Sequence, residues 1–216
     1  SDLALLASVA DLYQRQLYGD DSTGRQMLKK LGVQSRVTIA AFKLGWSDGK
    51  LWNRCNEADR ARLQALGLLT HNQKEKIGSG LVIPATDPET DNIVDLLVVR
   101  KYQHKKCNLF SPPRGLIHSD ALKASKEIVI TDWPEAALLI HQAGFKAVVL
   151  VRGAADIKSN KALFEAARLK LVWVCSTRYG KQLTAALKPL CREVKRLTLP
   201  RYHQQINADT LRAQME

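Results

Sequence analysis

The stretch that decides the fold is EIVITDWPEAALLIHQAGF, residues 127–145. Residues 127–131 are rich in β-branched side chains and predict a strand, and residues 134–143 predict a helix. Asp132 and Trp133 lie in the turn between the two. The stretch is therefore one strand-turn-helix unit.

The same alternation continues to the C-terminal end of the sequence. The predicted elements are strand 127–131, helix 134–143, strand 147–151, helix 160–168, strand 170–175, helix 180–190 and strand 194–199. Successive βα units favour a mainly parallel sheet with helices packed on its faces, because short crossover connections are right-handed. The fold class is α/β in this part of the chain.

The preceding part of the chain predicts a mixed α+β subdomain. Its predicted elements are helix 3–18, a second helix capped by Ser22 and ended by Gly32, a polar helix at 56–66, a hairpin of strands 80–85 and 92–100, and a loop at 111–115. The boundary falls between Gly115 and Glu127. We therefore divide the chain into residues 1–118 and 119–216.

Composition narrows the function classes. The 216 residues are 45% hydrophobic, enough for an ordinary core, and contain no run of the roughly 18 to 20 apolar residues that crosses a bilayer. The sequence also begins without a basic segment leading into an apolar one, so we expect a cytoplasmic protein. The four cysteines are widely spaced, which predicts reduced thiols rather than a disulfide framework or a zinc ribbon.

Charge points to a polyanionic partner. Lys and Arg number 33 against 21 Asp and Glu, a net charge of +12. Residues 91–126 are especially basic, and Tyr102, Asn108 and Phe110 lie among the charged residues. Positive side chains that follow the nucleic-acid backbone, beside aromatic side chains that stack on bases, are typical of proteins that bind single strands. A solvated charged surface is the alternative interpretation.

Four segments, taken in order, resemble the core of bacterial DnaG-type DNA primases. They are residues 38–46, the hairpin that opens with Gly80-Leu-Val-Ile-Pro84 and closes at Arg100, the basic loop 106–116, and the strand-turn-helix 128–138. The last segment resembles the opening of the topoisomerase-primase (TOPRIM) domain of that family. The resemblance implies a TOPRIM-like parallel sheet preceded by a primase-core subdomain.

The metal-binding positions of the family differ here. In active members a Glu-Gly-x-x-Asp turn and an Asp-x-Asp strand end supply carboxylates for Mg²⁺ or Mn²⁺, which neutralise charge in phosphoryl transfer. The resemblance places Asp132, Trp133 and Ala136 in the first motif, and Cys175 and Thr177 at the two aspartate positions of the second. Residues 203–207 also lack the acidic group that the family has after the next strand. A neutral thiol and a hydroxyl are poor magnesium ligands, so the expected metal site is degenerate and no resident cofactor is expected.

The resemblance therefore implies a nucleic-acid-binding module of a replication or mobile-element protein, with catalysis lost. The expected partner is single-stranded DNA or another nucleic acid, and the resemblance also suggests a replicative helicase or other replication protein as a protein partner. The expected nucleic-acid contacts are Arg100, Lys105, Lys106, Asn108 and Arg114.

Two alternatives remain open from the sequence. One is an active primase or nuclease that uses Mg²⁺ or Mn²⁺ with relocated ligands, drawn from Asp132, Glu135, Asp95 and Asp156. The other is a scaffold that binds another replication protein. Cys175 could in principle be a nucleophile, but a packed thiol is the simpler interpretation because no base is identifiable.

Overall fold

The computed structural model describes residues 1–19, 23–100, 106–176, 179–199 and 206–215. The chain forms two compact units. The N-terminal unit consists of Ser1–Lys30 and Ala40–Gly115, and the C-terminal unit consists of Leu31–Ile39 and Leu116–Glu216.

The first half of the chain combines short helices with an antiparallel sheet. Its helices are α1 (Asp2–Tyr18), α2 (Thr23–Leu31), α3 (Arg36–Ala41), a 3₁₀ helix (Leu51–Arg54) and α4 (Glu57–Ala65). Its strands are β1 (Gly45–Asp48), β2 (Ser79–Thr86), β3 (Ile93–Arg100) and β4 (Lys106–Asn108), in the sheet order β1-β2-β3-β4. The predicted hairpin is confirmed, because β2 and β3 pair antiparallel.

Helix α1 supplies much of the core of the N-terminal unit. Its apolar face, which includes Val9 and Tyr13, shares a buried cluster with Val82, Leu96 and Val98 of the sheet. The close approach of α1 to β1 depends on Gly45, where a Cβ atom would lie 2.7 Å from the Cβ of Tyr13. A side chain at position 45 would therefore push the helix away from the sheet.

A buried carboxylate ties several elements of this unit together. Glu75 Oε1 accepts hydrogen bonds from the hydroxyls of Tyr13, at 2.7 Å, and Ser47, and Glu75 Oε2 accepts one from the amide of Leu51 at 3.0 Å. These partners lie on α1, β1 and the 3₁₀ helix. Burial is the main cause that raises the pKa of Glu75 above its usual 4.5.

The second half of the chain is an α/β unit. Its strands are β5 (Glu127–Thr131), β6 (Val148–Leu150), β7 (Leu169–Cys175) and β8 (Cys191–Arg196), and its helices are α5 (Ala121–Ala124), α6 (Pro134–Gln142), α7 (Ala154–Ser159), α8 (Lys161–Ala167), α9 (Gly180–Leu187) and α10 (Ala208–Met215). The sheet order is β6-β5-β7-β8, and each neighbouring pair is parallel. The predicted parallel sheet with flanking helices is confirmed.

Helix packing explains why this sheet is stable. Alternate residues of β5 and β7, such as Ile130 and Val174, join one buried cluster with Ile157 of α7, Phe164 of α8 and Leu183 of α9. Side chains two apart on a strand point to the same face, so one face of the sheet is apolar along its length. Burial of such side chains contributes about 25 cal/mol for each Å² removed from water.

A short segment before the main α/β region completes the C-terminal unit. Gln142 Oε1, at the end of α6, accepts hydrogen bonds from the amides of Gln34 and Ser35 at 2.7 and 2.8 Å, and Gln142 Nε2 donates to the Gly32 carbonyl at 2.8 Å. Thr38 Oγ1 lies 2.9 Å from His141 Nδ1. Residues 31–39 were not predicted to belong to this unit, because the pairing joins residues more than a hundred positions apart.

The sequence predictions were wrong about some element limits. The predicted helix 160–168 corresponds to α8, and the sequence analysis did not predict α7, which ends at Ser159 before the backbone leaves the helical region at Asn160. The predicted helix 180–190 ends at Leu187, just before Pro189, which has no amide N–H to continue it. The predicted strand 194–199 is β8, which begins earlier because Cys191 already pairs with Leu169. The predicted cap Ser22 lies outside the described residues.

None of the described helices is long and apolar enough to span a membrane.

Replacing Glu75 by Gln should change how stability depends on pH. A carboxyl whose pKa is raised by folding contributes stability that is complete below its unfolded pKa of 4.5 and is lost as pH rises through the folded pKa. Urea denaturation of the wild type between about pH 4 and about pH 8 should show this loss. The variant Glu75→Gln should not show this loss of stability with rising pH. Its free energy of unfolding should be lower at every pH by roughly 1 to 3 kcal/mol, because the amide nitrogen of Gln is a donor where a carboxyl oxygen accepted a hydrogen bond.

The matched control is Glu165→Gln on the exposed surface of α8, which should keep the wild-type pH dependence. An identical pH profile in wild type and Glu75→Gln would contradict this role of Glu75.

Candidate nucleic-acid interface

The carboxyl ends of the parallel strands meet at one edge of the C-terminal sheet, where α/β proteins commonly place their sites. At the end of β5, Thr131 pairs with Cys175 of β7. Asp132 follows β5, and its exposed fraction is only 5%. Glu135 and Ala136 lie in the first turn of α6 and are buried as well.

Trp133 does not strain the turn after β5. The resemblance places Trp133 where the family has a glycine, a residue with access to backbone angles that other residues avoid. Trp133 has φ −117° and ψ 105°, which is ordinary extended backbone, and its amide donates to Thr131 Oγ1 at 3.1 Å. The backbone of this turn therefore needs no glycine.

Cys175 is a packed thiol. Its side chain is 2% exposed, and burial raises its pKa to about 12, with the nearby Asp132 carboxylate adding to the effect. The thiolate is the form that attacks electrophiles and binds metals, and it is scarce at neutral pH. Cys175 is therefore neither an activated nucleophile nor a ready ligand. Thr177, the other expected position of this motif, lies outside the described residues.

Asp156 is used for structure rather than for metal binding. Its Oδ2 accepts from both the backbone amide and Nε of Arg152, at 2.8 and 2.9 Å, and both side chains are 6% exposed. The pair closes the turn between β6 and α7. Removing the carboxylate would leave the Arg152 guanidinium buried without its counter-charge.

Asp95 is used in the same way in the N-terminal unit. Its Oδ1 accepts from the amides of Leu96 at 2.8 Å and Phe110 at 3.2 Å, and its Oδ2 accepts from the amide of Arg114 at 3.0 Å. The side chain is fully buried within β3. Asp95 and Asp156 are thus committed to loop backbone, which removes two of the four relocated ligands considered from the sequence.

The described residues offer few acidic side chains for a magnesium or manganese ion at this edge of the sheet. Among the described ranges, no group of three or more His, Cys, Asp or Glu side chains is placed to hold a metal ion. Mg²⁺ requires oxygen ligands and is usually held by one or two carboxylates together with water and substrate phosphates. Asp132 and Glu135 are the acidic side chains that remain near the carboxyl end of β5.

The expected nucleic-acid contacts do not all share one side of the antiparallel sheet. Lys106 pairs with Val99, and Asn108 pairs with Leu97, so Lys106 and Asn108 lie on the same face. Arg100 follows Val99 on β3 and lies on the opposite face, where its Nη2 donates to the Lys76 carbonyl at 3.3 Å. Lys105 lies outside the described residues.

Arg114 lies on the loop that follows β4. It is exposed, and its guanidinium carbon lies 4.1 Å from the ring centroid of Phe110. Gly115 ends the loop with φ +66°, and a Cβ there would collide with the Thr86 carbonyl. The loop is thus fixed on both sides of Arg114, by Asp95 and by Gly115. Sequence reasoning identified Arg114 and Gly115 but missed Asp95 as the residue that positions the loop.

Comparison with solved structures finds primase cores. A DnaG catalytic core superposes with a TM-score of 0.70 at 20% identity, over 98% of this chain and 74% of that chain. A DnaG primase catalytic domain bound to ssDNA gives a TM-score of 0.75 at 18% identity, over 99% of this chain and 77% of that chain. The RNA polymerase domain of Mycobacterium tuberculosis DnaG, in complex with a double-stranded DNA oligomer with a 6-nucleotide overhang, gives 0.69 at 15% identity, over 99% and 79%.

This chain has the fold of a DnaG primase catalytic core. The resemblance found in the sequence is confirmed at the level of fold, over nearly the whole chain. No protein-family model matches the chain, and no curated protein matches it significantly. At identities of 15 to 20%, the likeness to these DnaG structures concerns the fold alone.

The burial of Cys175 predicts a protected thiol. In the native protein at about pH 8, iodoacetamide should modify Cys175 far more slowly than in the same protein denatured in guanidinium, because the thiolate is scarce and the sulfur is enclosed. Mass spectrometry of peptides after timed alkylation measures the two rates. Equal rates in the native and the denatured protein would show that Cys175 is accessible and reactive.

Proposed function

We propose that this chain is a primase-like module that binds single-stranded nucleic acid and does not catalyse metal-dependent primer synthesis. The observation that carries the binding part is the fixed loop in which the Arg114 guanidinium covers Phe110, close in sequence to the exposed Lys106. Two structures with this fold, the ssDNA-bound DnaG domain and the mycobacterial domain with a DNA overhang, support the choice of partner.

A loop held in place favours binding. Because Asp95 accepts the amides of both Phe110 and Arg114, the two side chains are positioned before a ligand arrives. Less conformational entropy is then lost on binding. An exposed guanidinium plane can stack on an unpaired base as well as bind a phosphate, a combination that suits single strands.

The proposed loss of catalysis rests on the neutral side chains at positions where carboxylates would hold metal ions. Phosphoryl transfer relies on cations held by carboxylates, and a metal contributes several kcal/mol to stabilisation of the transition state. Ala136 is apolar, and burial keeps Cys175 protonated at the position expected for an aspartate. Each loss of about 1.4 kcal/mol costs roughly tenfold in rate, so little turnover by that mechanism remains.

Substitution of Lys106 or Arg114 by Ala should weaken binding of a labelled oligodeoxythymidine almost equally for all sequences. The logarithm of the affinity should fall with the logarithm of salt concentration, and each variant should flatten that slope by about 0.7, because one phosphate fewer is neutralised by the protein. Fluorescence anisotropy over a series of NaCl concentrations measures both quantities. Lys106→Arg should restore the slope.

Arg62→Ala is the matched control, because Arg62 lies on α4 in the same unit and pairs there with Asp2. Its substitution removes the same charge and should leave the slope unchanged. An affinity of the wild type that does not vary with salt would refute the proposed binding to phosphates. Capture of a replication protein at high salt, without single-strand affinity, would favour the scaffold instead.

Catalysis is tested separately from binding. With a single-stranded template, ribonucleotides and Mg²⁺ or Mn²⁺, we expect no primer above background and no saturable Mn²⁺ binding that depends on Asp132. Denaturing gels detect the primers, and electron paramagnetic resonance measures free Mn²⁺. Template-dependent primers that disappear in Asp132→Asn would establish the enzyme and overturn the proposed loss of catalysis.

A further inference from the structure

A small surface depression lies between α9 and the end of β8 in the C-terminal unit, well separated in sequence from the basic loop described above. It is lined by Gly180, Lys181, Thr184, Ala185, Lys188 and Arg196. The first four residues lie on one side of α9, Lys188 follows the last residue of that helix, and Arg196 is the last residue of β8. The volume of the depression is about 250 Å³.

The charges around this depression are all positive. Lys181, Lys188 and Arg196 line it, and no acidic residue does. Within the described part of the chain, no salt bridge involves any of the three. Like charges gathered in one concavity repel each other and produce a positive potential that attracts an anion.

The nearest acidic residue on β8 does not neutralise them. Side chains alternate along a strand, so Arg196 shares the face of Val194, which packs against the cluster that contains α9 residues. Glu193 and Lys195 lie on the opposite face, where their charged groups are 3.9 Å apart and Lys195 lies over the Trp173 ring. The Glu193 charge is therefore directed to the other side of the sheet.

Arg196 lies against the first turn of α9. A Cβ atom built on Gly180 would be 3.3 Å from Arg196 Nη2, so the absence of a side chain at position 180 makes room for the guanidinium. The first turn of α9 has no acidic residue and no side-chain cap. Backbone amides at a helix start carry partial positive charge, and a second positive group beside them is unfavourable without an anion.

Thr184 supplies an unused polar group. Its Oγ1 is shielded from solvent and has no hydrogen-bond partner among the described residues. Buried hydroxyls are normally hydrogen-bonded, so such a group needs an explanation. Thr184 lines the depression, and a hydroxyl can donate a hydrogen bond to an anion.

The geometry points to a phosphate-binding site in this depression, formed by Lys181, Lys188 and Arg196 with Thr184 as an additional donor. Pockets that enclose an entire small ligand are roughly 300 to 1,000 Å³. This one is smaller, so it accommodates one phosphate group whose remainder lies outside. A guanidinium and ammonium groups are the usual protein partners of phosphate oxygens. The phosphate belongs either to a nucleotide or to the backbone of a polynucleotide.

The residues of this site differ from the proposed single-strand contacts and lie in the other unit, so the two can be tested independently. The first test follows the amide NMR signals of α9 during titration of the whole chain with inorganic phosphate, with NaCl at equal ionic strength as reference. We expect saturable shifts at Gly180, Lys181 and Gln182. Shifts no larger than those produced by NaCl would overturn the proposal.

Variants then assign the binding to the depression. Arg196→Gln should weaken phosphate binding by roughly threefold to tenfold, as expected for loss of a charge-assisted hydrogen bond near solvent. Arg196→Lys should recover part of it, and Thr184→Val, which keeps the shape and removes the hydroxyl, should weaken it less. Lys195→Gln is the matched control, because it removes one charge from the adjacent residue on the opposite face. Equal losses in Arg196→Gln and Lys195→Gln would overturn the site.

Competition experiments identify whether a nucleotide or a polynucleotide supplies the phosphate that binds in this depression. If oligodeoxythymidine displaces phosphate and Arg196→Gln flattens its salt dependence, the site holds polynucleotide backbone. If ATP without metal displaces phosphate and the oligonucleotide does not, the site holds a nucleotide. Loss of single-strand binding in Lys106→Ala with intact phosphate shifts on α9 would separate the two surfaces. Phosphate shifts that neither ligand displaces would refute both sources.

Discussion

A carboxylate withdrawn from water must be matched by donors, and this requirement organises both units of the structure. Glu75 accepts hydrogen bonds from three separate elements, Asp95 fixes the loop that contains Arg114, and Asp156 closes the turn after β6 around Arg152. An uncompensated charge at any of these places would cost several kcal/mol. These buried acids therefore hold loops and helices in position, and their lone pairs are largely occupied by protein donors.

The same requirement bears on the edge of the parallel sheet, where the fold positions the backbone and the side chains decide the chemistry. The strand order and parallel register place β5 and β7 side by side, so that Thr131 meets Cys175 where a metal-dependent site would need oxygen ligands. Burial keeps the Cys175 thiol protonated, and the carboxylates of Asp95 and Asp156 are engaged elsewhere. A DnaG-like backbone does not by itself specify the chemistry at this edge, because backbone packing depends on apolar side chains and the chemistry depends on the polar ones.

Basic residues are easier to find in a sequence than to assign to a surface. Lys106, Asn108 and Arg100 are close in sequence, yet strand alternation places Arg100 on the opposite face from the other two. The stacked pair of Phe110 and Arg114 depends on hydrogen bonds to Asp95, a residue fifteen and nineteen positions away. The depression at α9 depends on Arg196 reaching back to Gly180. Each arrangement arises from pairing between distant residues.

The sequence by itself determined the α/β character of the second half, the antiparallel hairpin, the extent of α1, the C-terminal end of α2, and the neutral residues at Ala136 and Cys175, because periodicity and residue identity are local properties. The tertiary structure decided which acids are structural, which basic residues share a face, and that residues 31–39 join the C-terminal unit through Gln142. It also decided that Trp133 fits its turn in an extended conformation. These outcomes depend on which distant donors and acceptors meet when the strands pair, and no local pattern encodes that.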